Sequence, residues 1–168
     1  MQERLRLRVV AAALAVVSLA APARAADKAR RIAIMPFDNI GGGKAMDFVG
    51  VGIAETLITE LGRIPDLTLV ERTRLNEAQK EIKLGQSGLV DPATAQTMGR
   101  LLGADSVVIG SVQKVGDTLR IQARIVEVAT AQVRESARVD GRADDLLALE
   151  DQLAAKLLEA MRGATLAA

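Results

Sequence analysis

Residues 105–128 read DSVVIGSVQKVGDTLRIQARIVEV, and a change of pattern inside this stretch decides the fold. The first half, DSVVIGSV, is apolar at successive positions, as expected of a strand buried on both faces. Gly116-Asp117 then marks a tight turn. Beyond it, Leu119, Ile121, Ala123 and Ile125 alternate with Arg120, Gln122 and Arg124. That alternation predicts a strand with one dry and one wet face, typical of antiparallel pairing. One sheet therefore has to hold a fully buried half and a half-solvated half.

Working upstream, Ile32–Phe37 (IAIMPF) predicts another strand buried on both faces, ended by Pro36. Asn39–Lys44 reads as a glycine-rich loop. Met46, Val49, Ile53, Leu57, Leu61 and Ile64 recur at three- and four-residue steps, which predicts a helix from about Ala45 to Arg63. Gly50 and Gly52 lower its helix propensity, and close approach of the helix to the sheet is the expected compensation. Leu67–Glu71 predicts a short strand, and Thr73 an N-cap for a helix reaching about Leu84. Gly85–Leu89 reads as a loop. Asp91-Pro92 combines an N-cap carboxylate with proline at the first helical position, and Gly103 closes the helix after Leu102. Downstream, Ala129–Ala131 turns the chain into a strand at Gln132–Val139. A final amphipathic helix covers about Ala143–Arg162, with Asp144 and Asp145 at its start and Lys156 and Arg162 towards its end, matching the helix dipole. Its apolar stripe, Leu146 to Met161, reads as core. The order β-α-β-α-α-β-β-β-α predicts an α/β fold. Its mixed sheet has about five strands, parallel crossovers first and a three-strand meander after them, with helices packed on it.

The N-terminus reads as an address. Arg4, Arg6 and Arg8 precede the apolar run Val9–Ala21, and Ala23-Arg24-Ala25 fits a small-x-small cleavage site before Ala26. The expected organisation is a signal peptide over 1–25 and one domain over 26–168. The apolar run is short of the roughly 20 residues of a spanning helix, so no transmembrane segment is expected in the mature chain. Without cysteine there is neither a disulfide nor the acylation site of a bacterial lipoprotein. The full chain carries 22 Lys and Arg against 21 Asp and Glu. Removing a leader that holds four of those arginines turns the balance slightly negative, which is not the charge of a nucleic-acid binder.

The residues that are missing narrow the chemistry most. The chain has no His, Cys, Trp or Tyr, and its aromatic residues are Phe37 and Phe48. Imidazole bases, thiolate nucleophiles and the usual zinc or copper ligands are absent. No catalytic residue, cofactor or metal site is expected. An enzyme working with carboxylates alone, such as a glycan hydrolase, is the alternative, and it needs two acidic groups facing across a groove. Gly41-Gly42-Gly43-Lys44 superficially suggests a phosphate loop. Asp38 stands where that motif needs glycine, Ala45 where it needs a hydroxyl, and Met46 where a dinucleotide loop needs its third glycine. The stretch reads as a flexible connection instead. Glu71-Arg72 reads as a strand-end ion pair or capping contact. If the last turn centres near Thr130, Arg124 falls opposite Ser136 and Arg120 opposite Asp140. Arg120, Arg124, Arg134 and Arg138 then form a basic stripe, either a solvated face or a docking surface for an acidic protein or anionic lipid head-groups.

Five segments in order resemble one family. IAIMPFDN at Ile32, GVGIAETLITEL at Gly50, VERTRL at Val70 with Glu71 and Arg72, MGRLLGADSVVIGSV at Met98 with Gly103, Ala104, Asp105, Gly110 and Ser111, and IQARIVEVATAQV at Ile121 are similar to the CsgG family of curli assembly components and to the related amino-terminal domain of TolB. The resemblance implies a periplasmic, cofactor-free module. It would work through contacts with cell-envelope proteins in assembly or secretion, with homo-oligomerisation and peripheral outer-membrane association left open. A curli-type secretion channel and an activator of a peptidoglycan synthase are the finer alternatives it carries. The Lys114–Thr118 connection leaves no room for a long membrane-spanning insertion there, and Thr130-Ala131 replaces the family's Thr-Gly turn.

Overall fold

A computed structural model describes residues 30–65, 67–71, 73–77 and 91–166. The expected cleavage site (Ala23, Ala25, Ala26), Arg72, and the helix and loop placed beyond residue 77 as far as Leu89 lie outside the described residues.

The sheet is mixed and six-stranded, in the order β3-β1-β4-β5-β6, with β2 also paired to β4. Its strands are β1 (Arg30–Ile34), β2 (Asp38–Ile40), β3 (Leu67–Leu69), β4 (Ser106–Val115), β5 (Thr118–Glu127) and β6 (Val133–Arg142). β1 runs parallel to β3 and β4, and β2 parallel to β4. β4, β5 and β6 form the antiparallel meander. Three long helical elements are described: α1 (Asp47–Leu61), α2 (Pro92–Leu102) and α3 (Leu146–Leu166). Single 3-10 turns lead into α1 and α3. Residues 73–77 are helical.

The sixth strand departs from the five expected and falls at the start of the stretch read as a glycine-rich loop. β4 is ten residues long, and β1 pairs only with Ser106–Val108. The next stretch of that edge, Ser111–Gln113, is left for Asp38–Ile40. Pro36 lacks an N–H and cannot continue the ladder, and Phe37 instead donates its N–H to the Gly50 carbonyl of α1 (3.0 Å). One long side of β4 is thus shared by two short strands. The loop after β2 is pinned rather than free. Asn39 donates to the Gly43 carbonyl and to Asp47 Oδ1, while its own Oδ1 accepts the Gly42 N–H.

Two apolar layers flank the sheet. On one face Ile32, Ile34, Val108, Val112, Leu119 and Ile121 meet α1 and α3 through Ile53, Leu57, Leu153 and Leu157. On the other, Ala33, Met35, Val107, Ile109 and Val126 meet α2 through Ala95, Met98 and Leu102. The alternation along β1 and β4 places successive residues in opposite layers, as their double burial predicts. Gly50 lets α1 touch the chain at Phe37, since a Cβ there would lie 1.8 Å from the Phe37 carbonyl oxygen. Gly52 has no such role: a Cβ there would first meet Glu150 Oε1, at 3.8 Å. α2 carries the expected caps. Asp91 accepts the Thr94 N–H (3.1 Å), Pro92 opens the helix, and Gly103 adopts the left-handed conformation at its end.

Candidate interaction surface

The meander sets the surface in register. Arg124 pairs with Ser136, Gln122 with Arg138, and Arg120 with Asp140. Paired residues share a face. Leu119, Ile121, Ala123 and Ile125 turn towards α1 and α3, so these polar rows lie on the opposite face. There α2 covers β1, the start of β4 and the end of β5, where Val126 and Val128 join its cluster. Among the described residues no helix covers the remainder. A shallow depression of about 580 Å³ opens on it, lined by Gln122, Arg124, Ser136 and Arg138 with Ala123, Ala137 and Val133.

Three of the four arginines singled out from the sequence, Arg120, Arg124 and Arg138, come to this side, but they do not form a bare basic stripe. Glu127, the partner of Arg134, alternates with Val126 and Val128 and so follows Ile125 to the face of α1 and α3. Arg120 Nε lies 2.6 Å from Asp140 Oδ1, and Arg138 Nε 3.5 Å from Asp140 Oδ2. Arg134 Nη2 lies 2.8 Å from Glu127 Oε2. Among the described residues Arg124 makes no ion pair. On the open face three guanidiniums meet one carboxylate, Asp140, so the patch stays positive while Arg120 and Arg138 are held in place. The hydrogen bond from Arg120 lowers the Asp140 pKa below the usual carboxylate range, and Asp140 in turn raises that of Arg120. Glu127 is lowered too, first by the Thr130 hydroxyl and then by Arg134. The Arg134 pairing was not legible in the sequence. Ile125 pairs with Glu135 and Val126 with Val133, so Arg134 is the extra residue of a bulge.

The family-motif residues build the frame instead. Gly103 ends α2 at φ 61°, and Ala104 is buried. Asp105 binds Arg31 reciprocally: its N–H donates to the Arg31 carbonyl (2.8 Å), and its Oδ2 accepts the Arg31 N–H (2.9 Å). The Asp105 carbonyl also accepts the Val128 N–H (3.0 Å). One residue therefore ties β1, β4 and the end of β5. Gly110 leaves room for the Phe37 ring, since a Cβ would lie 2.2 Å from its Cε1. Ser111 is buried beside Asp38 and Gln122. Glu71 is exposed, and its carbonyl accepts the first N–H groups of the helical turn at 73–77. The glycine loop is poorly suited to an anion, because Asn39 occupies its Gly42 amide and Asp47 adds a carboxylate.

The fold and this surface define an α/β domain with one closed face and one partly open face. The chain belongs to the CsgG family, described as "Curli production assembly/transport component CsgG", which it matches over residues 13–116. The match contains Glu71, Arg72 and the Gly103–Ser111 segment and stops at the β4–β5 turn, before the arginine rows. The chain is 26% identical over 131 residues to "Putative adenylate cyclase 3" of Rhizobium meliloti (strain 1021), covering 78% of this chain and spanning 21% of that protein's length. Among solved structures it is similar to the LpoB C-terminal domain from Escherichia coli (21% identity, TM-score 0.55, 71% of this chain and 87% of that one). It is also similar to TolB from Acinetobacter baumannii (17% identity, TM-score 0.56, 82% of this chain and 29% of that one). At these identities the structural likeness is one of fold. Among the described residues no helix is long and apolar enough to cross a membrane.

Proposed function

We propose that this domain is a non-enzymatic protein-interaction module of the cell envelope, acting from the periplasm in assembly or secretion. The observation that carries the reading is the part of the sheet that no helix covers among the described residues. A domain whose other face is sealed by two helices keeps a positive, hydrogen-bonding surface on β5 and β6. Membership of a family of assembly and transport components supports the envelope setting. The recurrence of a similar segment as about a fifth of a much longer protein supports a portable module.

Work by contact rather than turnover follows from the side chains available. The chain lacks imidazole and thiol groups, and its most ordered polar clusters are Arg–Asp and Arg–Glu pairs whose charges are mutually satisfied. The test is site-specific photo-crosslinking in intact cells from position 122, at the centre of the open face. Capture of a discrete envelope protein is the expected result. Absence of any captured protein, or a measurable turnover by the purified chain, overturns the reading.

A further inference from the structure

The two central rows of the open face form a square. Arg124 stands beside Ser136, and Gln122 beside Arg138, so the two guanidinium-bearing residues occupy one diagonal. Diagonal neighbours on antiparallel strands lie roughly 7–8 Å apart at Cα, close enough for two guanidiniums to close on one carboxylate. A hydroxyl and a carboxamide occupy the other diagonal. Arg138 is steered by Asp140, while Arg124 keeps its charge without a counter-ion among the described residues.

We propose that this square binds an extended acidic segment of another protein, one carboxylate entering between Arg124 and Arg138; the inference rests on reading the domain as an interaction module. Charge selects the occupant. The chain's own undescribed stretches are unsuitable, because residues 1–29 carry an excess of arginine and lysine and residues 78–90 hold Lys80 and Lys83 against Glu81. The face is preferred over the neighbouring strand edge. β6 is the last strand of the sheet, but its edge is guarded by the bulge at Arg134 and by Lys156, whose Nζ takes the Arg138 carbonyl (2.8 Å). A bilayer fits less well than a peptide. The most exposed large apolar side chains, Phe48 (70%) and Leu147 (75%), sit at the starts of α1 and α3 and not on the square. The guanidinium fork of Arg138, oriented by Asp140, can meet a carboxylate in bidentate fashion.

A ten-residue peptide of alternating Glu and Ser, labelled at one end, is the probe, with its Gln-for-Glu analogue as the reference. The acidic peptide should bind the purified protein at least about tenfold more tightly than the analogue, with affinity falling steeply as salt rises. Arg124→Gln combined with Arg138→Gln should weaken it at least about tenfold, and Arg63→Gln, on the helical side, should leave it unchanged. Arg124→Gln alone tests the same point without touching an existing ion pair. Equal binding of both peptides, or affinity unchanged in these variants, overturns the proposal. So does binding to vesicles of phosphatidylglycerol and phosphatidylcholine that depends on Arg124 and Arg138 while the peptide stays free. A self-associated state of the protein alone that the double variant dissolves would assign the square to a second copy and overturn it as well. If crosslinking from position 122 still captures a partner while the peptide fails, this inference falls and the interaction module stands.

Discussion

Strand β5 divides the molecule into two regions that share a backbone and almost nothing else. On one side Leu119, Ile121 and Ala123 are sealed beneath α1 and α3. On the other, Arg120, Gln122 and Arg124 face outward in register with Asp140, Arg138 and Ser136. The outer surfaces differ in sign as well. The helical side exposes Glu55 on α1 and Asp151 and Glu159 on α3, whereas the open sheet face carries Arg120, Arg124 and Arg138 against Asp140. The dry side chains hold the domain together, and the wet ones are free to be chosen for recognition. Adjacent residues of one strand should therefore respond to substitution in opposite ways.

The largest expected effect tests that division directly. Ile121→Ala removes a fully buried side chain and should cost about 2–5 kcal/mol. Gln122→Ala, one residue on, should stay within about 0.5 kcal/mol. Urea unfolding of both variants gives the comparison; similar losses at the two positions would mean that the outer rows also carry the fold.

The next effect separates two glycines of one helix. Gly50→Ala places a methyl 1.8 Å from the Phe37 carbonyl oxygen and threatens the Phe37 N–H bond to the Gly50 carbonyl. The expected cost is about 3 kcal/mol, at the upper end of overpacking penalties. Gly52→Ala meets nothing closer than Glu150 Oε1 at 3.8 Å and should instead gain roughly 0.5–1 kcal/mol of helix propensity. Paired denaturation midpoints decide whether closeness to the sheet, rather than glycine content, sets the helix position.

These glycines also show how far the sequence could be read. Two of them in one helix were recognisable as an anomaly, and close approach was the correct inference for Gly50 alone. Nothing local tells Gly52 from Gly50, because the difference lies in which neighbour the helix meets. The double burial of β4, the alternation of β5 and the caps of α2 were legible because each is a periodic or capping pattern within one element. β2 was not, since Asp38 and Asn39 have poor strand propensity and pair only because β4 outruns β1. The register of Arg120 with Asp140 is legible from the turn, but alternation alone does not show that Asp140 partly neutralises the arginine stripe. Arg134 with Glu127 was hidden by a bulge that shifts the count by one residue. The contact of Thr56 Oγ1 with Glu150 Oε2 (2.6 Å) crosses 94 positions and has no local signal at all.

A smaller effect is expected at the turn joining the two strands of the open face. Ala131 adopts φ 58°, a left-handed conformation that costs an L-residue about 1–2 kcal/mol. This is the position where the family resemblance calls for glycine. Its N–H donates to the Glu127 carbonyl (2.9 Å), which holds the strained residue in place. Ala131→Gly should raise stability by about 1 kcal/mol, less than the full relief because glycine also frees the unfolded chain. Thermal unfolding would register this as a higher Tm. A lowered Tm would mean that contacts of the Ala131 methyl outweigh its backbone strain.

The smallest effect concerns the carboxylates that hold the arginines, and it sharpens the contrast between the faces without disturbing the core. Asp140 and Glu127 titrate below their ordinary range in the folded domain. A group depressed in this way adds stability above its unfolded pKa, and loses it as pH falls through its folded one. Acidification below the ordinary carboxylate range should therefore release Arg120, Arg134 and Arg138 while the buried layers persist. Because both pairs are exposed, the loss of stability should be slight. NMR titration of the side-chain carboxyl carbons gives the direct reading. Arg120→Gln should move the Asp140 midpoint upward and leave Glu127 in place. Thr130→Val should do the reverse, since the Thr130 hydroxyl is the main cause of the Glu127 depression. Midpoints that move together in either variant would mean that the two pairs act as one network rather than pair by pair.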